Sequence, residues 1–413
     1  MPYLALGIRN LIKHKRKTIL TLLTVSLGFV CLLLSKGYAN YCLWGLRESI
    51  INGGVGHYQI RAQGYAERSD NDGDDVALLI RDYRKMLRDF SLVPGVQFVA
   101  PRLSFTGLLS GRESSAVVVG HGGWAREEDK LMAFSTVERD RGGDAGPNGR
   151  AVANGILLGR GVANLAGLAV GDECVLSAVM PSGAVNATDF TVTGLVSTQL
   201  EEMENSFACV SLEDAQALLG EPNAIDSLIV MLADTDAVGA TEGRIRELCG
   251  KHGLEYRTWN EIVPYYEGAR EFYSSAMNVS LVVILSIVVL SVINTMLMSL
   301  YDRIREIGSM RAIGMTSSQT TRMIGAEGLA IGLAGCLLGV LLALAVAFAV
   351  NAAGGIPLPP PPGNTRAYRG MILLELSDTA LYAGLLLLVS IGSSLVPARK
   401  AARISISDTL RWI

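Results

Sequence analysis

The chain has no phosphate-cradling loop. Such a loop needs glycines that let backbone N–H groups approach a phosphate, then Lys and Ser or Thr for phosphate and magnesium, and no G-x-x-x-x-G-K-[ST] occurs in the 413 residues. Histidine is scarce, with four residues in all; His57, His121 and His252 stand without ligand spacing, so no metal site is expected. There is no G-x-S-x-G elbow or other nucleophile setting, and the chain is not expected to be an enzyme. Aromatics make up only 6% of the residues, and the net charge of −3 argues against a nucleic-acid partner. Cys174, Cys209 and Cys249 share one long region, where three thiols cannot pair completely and their spacing fixes no disulfide.

What the chain has is apolar length. Half of it is hydrophobic and the mean hydropathy is positive, which suits a membrane protein carrying a large soluble part. Four runs are long enough, or nearly so, to cross a hydrocarbon core of about 20 residues: 18–46, 276–300, 324–350 and 379–397, the last stopped at Pro397. Arg9, Lys13, Lys15, Arg16 and Lys17 lie in the basic segment 1–17, and Arg399, Lys400, Arg403 and Arg411 lie in the tail 398–413, so both ends are expected in the cytoplasm. The loop 301–323 is then cytoplasmic, while 47–275 and 351–378 lie outside. A cleaved secretory signal is the rival reading of the first run, with Gly37 and Ala39 as its small residues. That run is longer than the usual signal core of about 7 to 15 residues, which favours a retained span.

The region 47–275 has room for one or two folded domains. Strand-like runs at 116–119, 174–178, 190–196 and 227–232 alternate with turn residues, and 80–90 and 212–219 carry helical periodicity, which together predict an α+β fold. Polar and glycine-rich stretches at 68–75 and 142–149 read as loops.

The segment from Tyr301 to Gly328 is charged but sits between two strongly apolar runs. Arg303, Arg305, Glu306 and Arg311 cannot lie unpaired in lipid, so the segment belongs at a membrane surface. Ile304, Ile307 and Met310 recur at three-residue spacing, predicting a short amphipathic helix with its charges turned away and one face free for a partner. In the third run, Gly325, Gly328, Gly332, Gly335 and Gly339 predict close helix packing, and Glu327 is expected to pair with an arginine or cap the helix. Asn278 and Asn294 are candidates for hydrogen bonds between helices. The proline-rich loop 356–370 reads as a stiff extended spacer, with docking into an aromatic groove as the alternative.

Four blocks resemble one family. REIGSMRAIGMTSSQ followed by EGLAIGLAGCLLG is similar to the C-terminal block of the FtsX-like permeases, which include MacB and the lipoprotein-releasing subunits LolC and LolE. PARKAARISISDTLR resembles that family's ending and LALGIRNLIKHKRKTILTLLTVSLG its opening. GILLGRGVANLAGLAVGDECVLSA and FTVTGLVSTQLEEMENSFACVSLEDAQALLG resemble its periplasmic core domain.

The resemblance implies a type VII ABC transporter permease in the bacterial inner membrane, with four transmembrane helices and a MacB-like α+β domain inserted between helices 1 and 2. It implies a separate ABC ATPase subunit holding ATP and Mg, and a second permease subunit, either an identical copy or a paralogue. Segment 301–323 would hold the coupling helix, with Arg303, Arg305, Glu306, Arg311 and Met315 at the ATPase contact. The expected work is extraction or translocation of lipoprotein or another amphiphile. The alternatives are an efflux permease that engages a periplasmic adaptor, as MacB does, and an FtsX-like regulator of a cell-wall hydrolase.

Overall fold

The computed structural model describes residues 15–65, 78–112, 114–131, 136–139, 154–197, 204–358 and 368–403. The predicted loops at 68–75 and 142–149, most of the proline run, and the basic residues Arg9, Lys13 and Arg411 lie outside them. In chain order the main elements are α1 (Lys15–Ile50), β1 (Tyr58–Ala62), β2 (Ile80–Arg81), α2 (Tyr83–Ser91), β3 (Val96–Ser110), β4 (Ser115–Gly123), α3 (Ala125–Leu131) and β5 (Thr136–Arg139). There follow β6 (Gly155–Gly159), α4 (Arg160–Ala166), β7 (Glu173–Val179), β8 (Val185–Ser197), β9 (Phe207–Ser211), α5 (Leu212–Leu219), β10 (Ala224–Ile225) and β11 (Ser227–Leu232). The chain continues with α6 (Val238–His252), β12 (Leu254–Thr258), α7 (Trp259–Ile262), α8 (Tyr265–Asp302), α9 (Ile304–Ala312), α10 (Ser317–Ala352), β13 (Ile356–Leu358), β14 (Tyr368–Gly370) and α11 (Leu376–Arg403).

These elements form two compact units. Residues 45–267 and 359–368 make a sheet unit; 1–44, 268–358 and 369–413 make an apolar helical unit. The sheet has ten strands, in the order β12-β1-β11-β3-β4-β9-β6-β8-β5, with β7 bridging β3 and β8. β4 runs parallel to β9 and β6 parallel to β8, while the other pairs are antiparallel, as an α+β fold built from hairpins and short crossovers requires.

Side-chain alternation along each strand sorts residues onto two faces. On one, Tyr58, Ile60, Leu103, Phe105, Leu109, Val118, Leu158, Phe190, Leu228 and Val230 form the main core. Helix α5 closes part of it because Leu212, Ala215, Leu218 and Leu219 share its buried stripe, and Ser211 caps it by accepting from the Asp214 N–H at 3.0 Å. The opposite face holds a smaller cluster in which Ala100, Ile229 and Met231 meet Ile50, Ile51, Leu131 and Trp259. Further along that face Phe207 and Cys209 pack with Val196. The predicted strands lie within β4, β7, β8 and β11; the helix expected over 80–90 starts only at Tyr83, because Asp82 takes a left-handed φ of 58° and 80–81 pair with β10.

In the helical unit, α1, α8, α10 and α11 are each long and apolar enough to cross a membrane. The helices extend beyond the apolar runs. α8 begins at Tyr265, α10 starts at Ser317 under a Thr316–Gln319 capping box, and α11 runs through Pro397 to Arg403. A proline removes one N–H, here the bond to the Ser393 carbonyl, and a long packed helix absorbs that single loss. α10 packs closely on both neighbours. A Cβ at Gly328 would lie 2.6 Å from Ser394 Cβ and one at Gly332 would lie 3.0 Å from Ser390 Cβ, both on α11; one at Gly335 would meet Val25 and one at Gly339 would meet Phe29, both on α1. Gly325 is the exception: a Cβ there has nothing within 4 Å, because that position turns away from the seam. Between α1 and α8 the Thr21 hydroxyl donates to the Thr295 hydroxyl at 2.8 Å.

Candidate functional site

The expected amphipathic helix is α9. Ile304 and Ile307 are buried in the helical unit and Met310 packs beside them, so the three-residue spacing does mark the inward face. The break that separates α8 from α9 falls at Arg303, whose φ of −118° leaves the helical region.

Arg303 differs from its prediction. It is buried, and its guanidinium donates to Glu327 Oε1 on α10 at 2.7 Å and to Glu306 Oε2 at 3.2 Å. A charge removed from water is tolerable only when it is paired, and Glu327 is the buried acid that pairs it. Arg311 is half-buried and donates to the Ala401 carbonyl of α11 at 3.4 Å. Both arginines therefore staple α9 inward instead of standing on its free face. Met315 packs against the helical core, while Arg305 and Glu306 are exposed.

The residue that sequence reasoning missed is Ile313. It is 88% exposed, directly after α9, and Gly314 follows it with φ at +112°, a turn that glycine alone adopts without strain. Arg305 and Glu306, in the first turn of α9, are exposed as well, so the outward side of the segment carries charges of both signs at one end and an apolar knob at the other. An exposed isoleucine is ordinary in isolation, but here it ends a helix that is fixed from behind on two neighbours.

The sheet unit holds a second polar constellation. Arg102 of β3 is 8% exposed and clasps Glu128 of α3 with two hydrogen bonds of 2.7 Å, from Nε to Oε1 and from Nη2 to Oε2. His121 Nε2 lies 3.1 Å from Glu128 Oε2. Burial alone would raise the Glu128 pKa, but Arg102 and His121 outweigh it and hold the carboxyl below the ordinary carboxylate range. The same carboxylate outweighs the effect of burial on Arg102 and raises the guanidinium.

His121, Glu128 and Cys209 bring possible ligand atoms within 4.8 Å of one another. The set does not suit a cation. Both Glu128 oxygens are committed to Arg102, an incoming ion would face that guanidinium, and burial with Glu128 alongside pushes the Cys209 thiol far above its usual range. Burial likewise raises Cys174 to about 11 and Cys249 to about 12, and all six cysteines are free thiols.

Comparison with known proteins places these features. Residues 278–406 match the family model described as FtsX-like permease C-terminal, and residues 18–248 match the MacB-like periplasmic core domain. The chain is 25% identical over 434 aligned positions to the lipoprotein-releasing system transmembrane protein LolC of Neisseria meningitidis, covering 98% of each. It is 23% identical over 251 positions to LolE of Haemophilus influenzae, covering 59% of each. Among solved structures, the periplasmic region of MacB from Actinobacillus actinomycetemcomitans aligns with a TM-score of 0.34 and 16% identity over 52% of this chain and 95% of that one. The extracellular domain of the ABC-type transporter YknZ from Gram-positive bacteria gives 0.33 and 15% over 49% and 98%. Four apolar helices, a core domain matched over more than half the chain and a matched C-terminal block make this protein a member of the FtsX-like, MacB-type permeases of ABC transporters, multi-pass inner-membrane proteins with a periplasmic domain.

Proposed function

We propose that this permease couples ATP hydrolysis in a separate ATPase subunit to movement of its periplasmic domain, and that the movement extracts lipoprotein or another amphiphile from the membrane. The observation that carries the reading is similarity to a lipoprotein-releasing LolC along 98% of both chains, across membrane helices and periplasmic core alike. ATP and Mg belong to the ATPase, since this sequence has no loop to cradle a phosphate. The ATPase docks on the outward side of α9, where Ile313 enters an apolar recess and Arg305 and Glu306 set the register through charge. Arg303 and Arg311 act from behind, passing the push to α10 and α11. A second permease subunit completes the transporter.

The test is affinity purification of the full chain in mild detergent, with mass spectrometry of protein and lipid. A co-purifying ATPase together with acylated protein is expected. An ATPase accompanied by a periplasmic adaptor would replace extraction with efflux, and one accompanied by a cell-wall hydrolase would replace it with regulation. The absence of any ATPase would overturn the reading.

A further inference from the structure

The C-terminal end of α1 is fastened to the sheet in an unusual way. Past Ile50 the helix widens into a π-turn, Ile51–Val55, in which Gly54 takes φ +110° before the chain enters β1. Helix ends leave carbonyls without intrahelical partners, and a cation there is favoured by the helix dipole. Arg102 supplies both answers: its Nη1 donates to the Gly54 carbonyl while Nε and Nη2 hold Glu128. One planar guanidinium thus links the end of α1, strand β3 and helix α3.

The surroundings are built to admit it. A Cβ at Gly54 would stand 3.2 Å from Arg102 Nη2, and a Cβ at Gly123, which lies opposite Arg102 across the β3–β4 pair, would collide with Glu128. Ile50 and Ile51 pack beside this point against Ala100, Ile229 and Leu131. The other side of the helix end is held as well, since Arg47 reaches Asp236 at 3.0 Å and the Thr235 hydroxyl donates to Glu48 at 3.1 Å. Ile50, Ile51, Ala100 and Leu131 make the side toward α1 apolar, and burying an ion pair is no more stabilising than filling the same space with apolar groups. What an arginine adds there is geometry: a rigid fork that fixes three elements at once.

We propose that Arg102 is a positioning residue of the transport cycle, the joint through which displacement of membrane helix α1 is delivered to β3 and α3. This rests on the reading of the chain as an ATP-driven permease. Thermal motion of α1 alone does not move a sheet; a joint that tolerates no slip makes a rigid-body displacement of the helix a displacement of the strand.

The test is hydrogen–deuterium exchange on the full chain, with its co-purified ATPase, in lipid nanodiscs, with and without ATP and vanadate. Two variants are compared with the unsubstituted chain: Arg102→Lys, which keeps charge but cannot span Gly54 and Glu128 together, and the double variant Arg102→Leu with Glu128→Leu, which leaves no buried charge unpaired. In both, exchange protection of the sheet without nucleotide and ATP hydrolysis are expected to persist, while the ATP-dependent change in β3 and α3 is lost. A response that survives in the double variant overturns the proposal. If the unsubstituted complex shows no ATP-dependent change anywhere, the ATP-driven reading fails, and the joint is decided without nucleotide. Gly37→Val strains α1, because its added Cβ meets Ile372 at 2.8 Å and Leu374 at 2.9 Å. Altered β3 exchange in that variant, abolished by the double substitution, supports the joint; no alteration, or one that ignores the substitution, overturns it.

Discussion

Arg102 and Arg303 are buried almost equally, at 8% and 7% exposed, and each guanidinium lies where a long apolar helix gives way to a different element. Arg102 stands at the π-turn after α1 and Arg303 at the break after α8. Their partners differ. Arg102 holds one buried carboxylate through Nε and Nη2 and the Gly54 carbonyl through Nη1, and His121 Nε2 lies against the same carboxylate. Arg303 divides itself between Glu327, which is buried, and Glu306, whose side chain is 50% exposed. A closed set has no exchangeable member and holds its elements in one arrangement. An open set can yield Glu306 to water or to a partner's charge while Arg303 stays on Glu327, so it suits a surface that is engaged and released.

The sharpest way to break this comparison is to remove the acid from each set. Glu128→Ala leaves Arg102 buried with only a carbonyl, and is expected to cost about 3–5 kcal/mol. Glu327→Ala leaves Arg303 with Glu306 and is expected to cost less, about 1.5–3 kcal/mol. Thermal unfolding of the full chain in detergent reads both; equal losses would mean that Glu306 gives Arg303 no fallback.

A buried group kept neutral contrasts with both arginines. His57 accepts the Leu232 N–H on Nδ1 at 3.1 Å, and its Nε2 lies 3.1 Å from the Thr235 hydroxyl, which in turn donates to Glu48. Burial, with Arg47 nearby and against the opposing pull of Asp234, lowers its pKa from 6.5 to about 4. The unfolded chain then binds more protons than the folded one between those values, so stability is full above pH 6.5 and falls as pH drops toward 4. The expected loss is on the order of a few kcal/mol. His57→Gln should flatten that part of the profile while leaving the acid limb set by Glu128, whose depressed pKa makes its contribution full above the ordinary carboxylate range and progressively lost as pH falls through and below it. A profile unchanged by the substitution would assign the slope to another group.

Helix packing offers a smaller contrast within one helix. Gly328→Ala places a methyl 2.6 Å from Ser394 Cβ and 3.1 Å from the Ser390 carbonyl, an overpacking expected to cost about 1–3 kcal/mol, whereas Gly325→Ala meets open space and should be neutral or slightly favourable. Equal effects in detergent melts would place the helix seam elsewhere.

The parts of this molecule legible in sequence are those written in local period. Apolar length marked all four spanning helices, alternation marked β4, β7, β8 and β11, and Ile304 with Ile307 marked the inward face of α9. Partnerships between distant residues were only half legible. The sequence leaves Glu327 to pair with an arginine or to cap the helix, and does not say that Arg303, 24 residues earlier, is its partner, so Arg303 reads there as a surface charge. Arg102, His121, Glu128 and Cys209 come from β3, β4, α3 and β9, and no spacing announces that four elements meet. Pro397 misled because a proline's ordinary cost is that of a helix interior in water, not of a helix packed along α10.

A small expected effect on stability belongs to the residue with the largest expected effect on docking, and the difference separates an outward tip from an inward staple. Ile313 is exposed and Arg303 is buried, though ten positions apart on one short segment. Ile313→Ser removes apolar surface that water already touches, so the melting of the isolated permease should move by no more than about 0.5 kcal/mol. An anchor of this kind that becomes buried in a complex contributes about 2 kcal/mol or more, so ATPase co-purification should fall at least tenfold. Arg303→Met should do the reverse in order, destabilising the permease first and weakening the complex only through that loss. If Ile313→Ser leaves the ATPase bound at full affinity, the tip is not the docking point, and the exposed charges Arg305 and Glu306 must carry the contact without it.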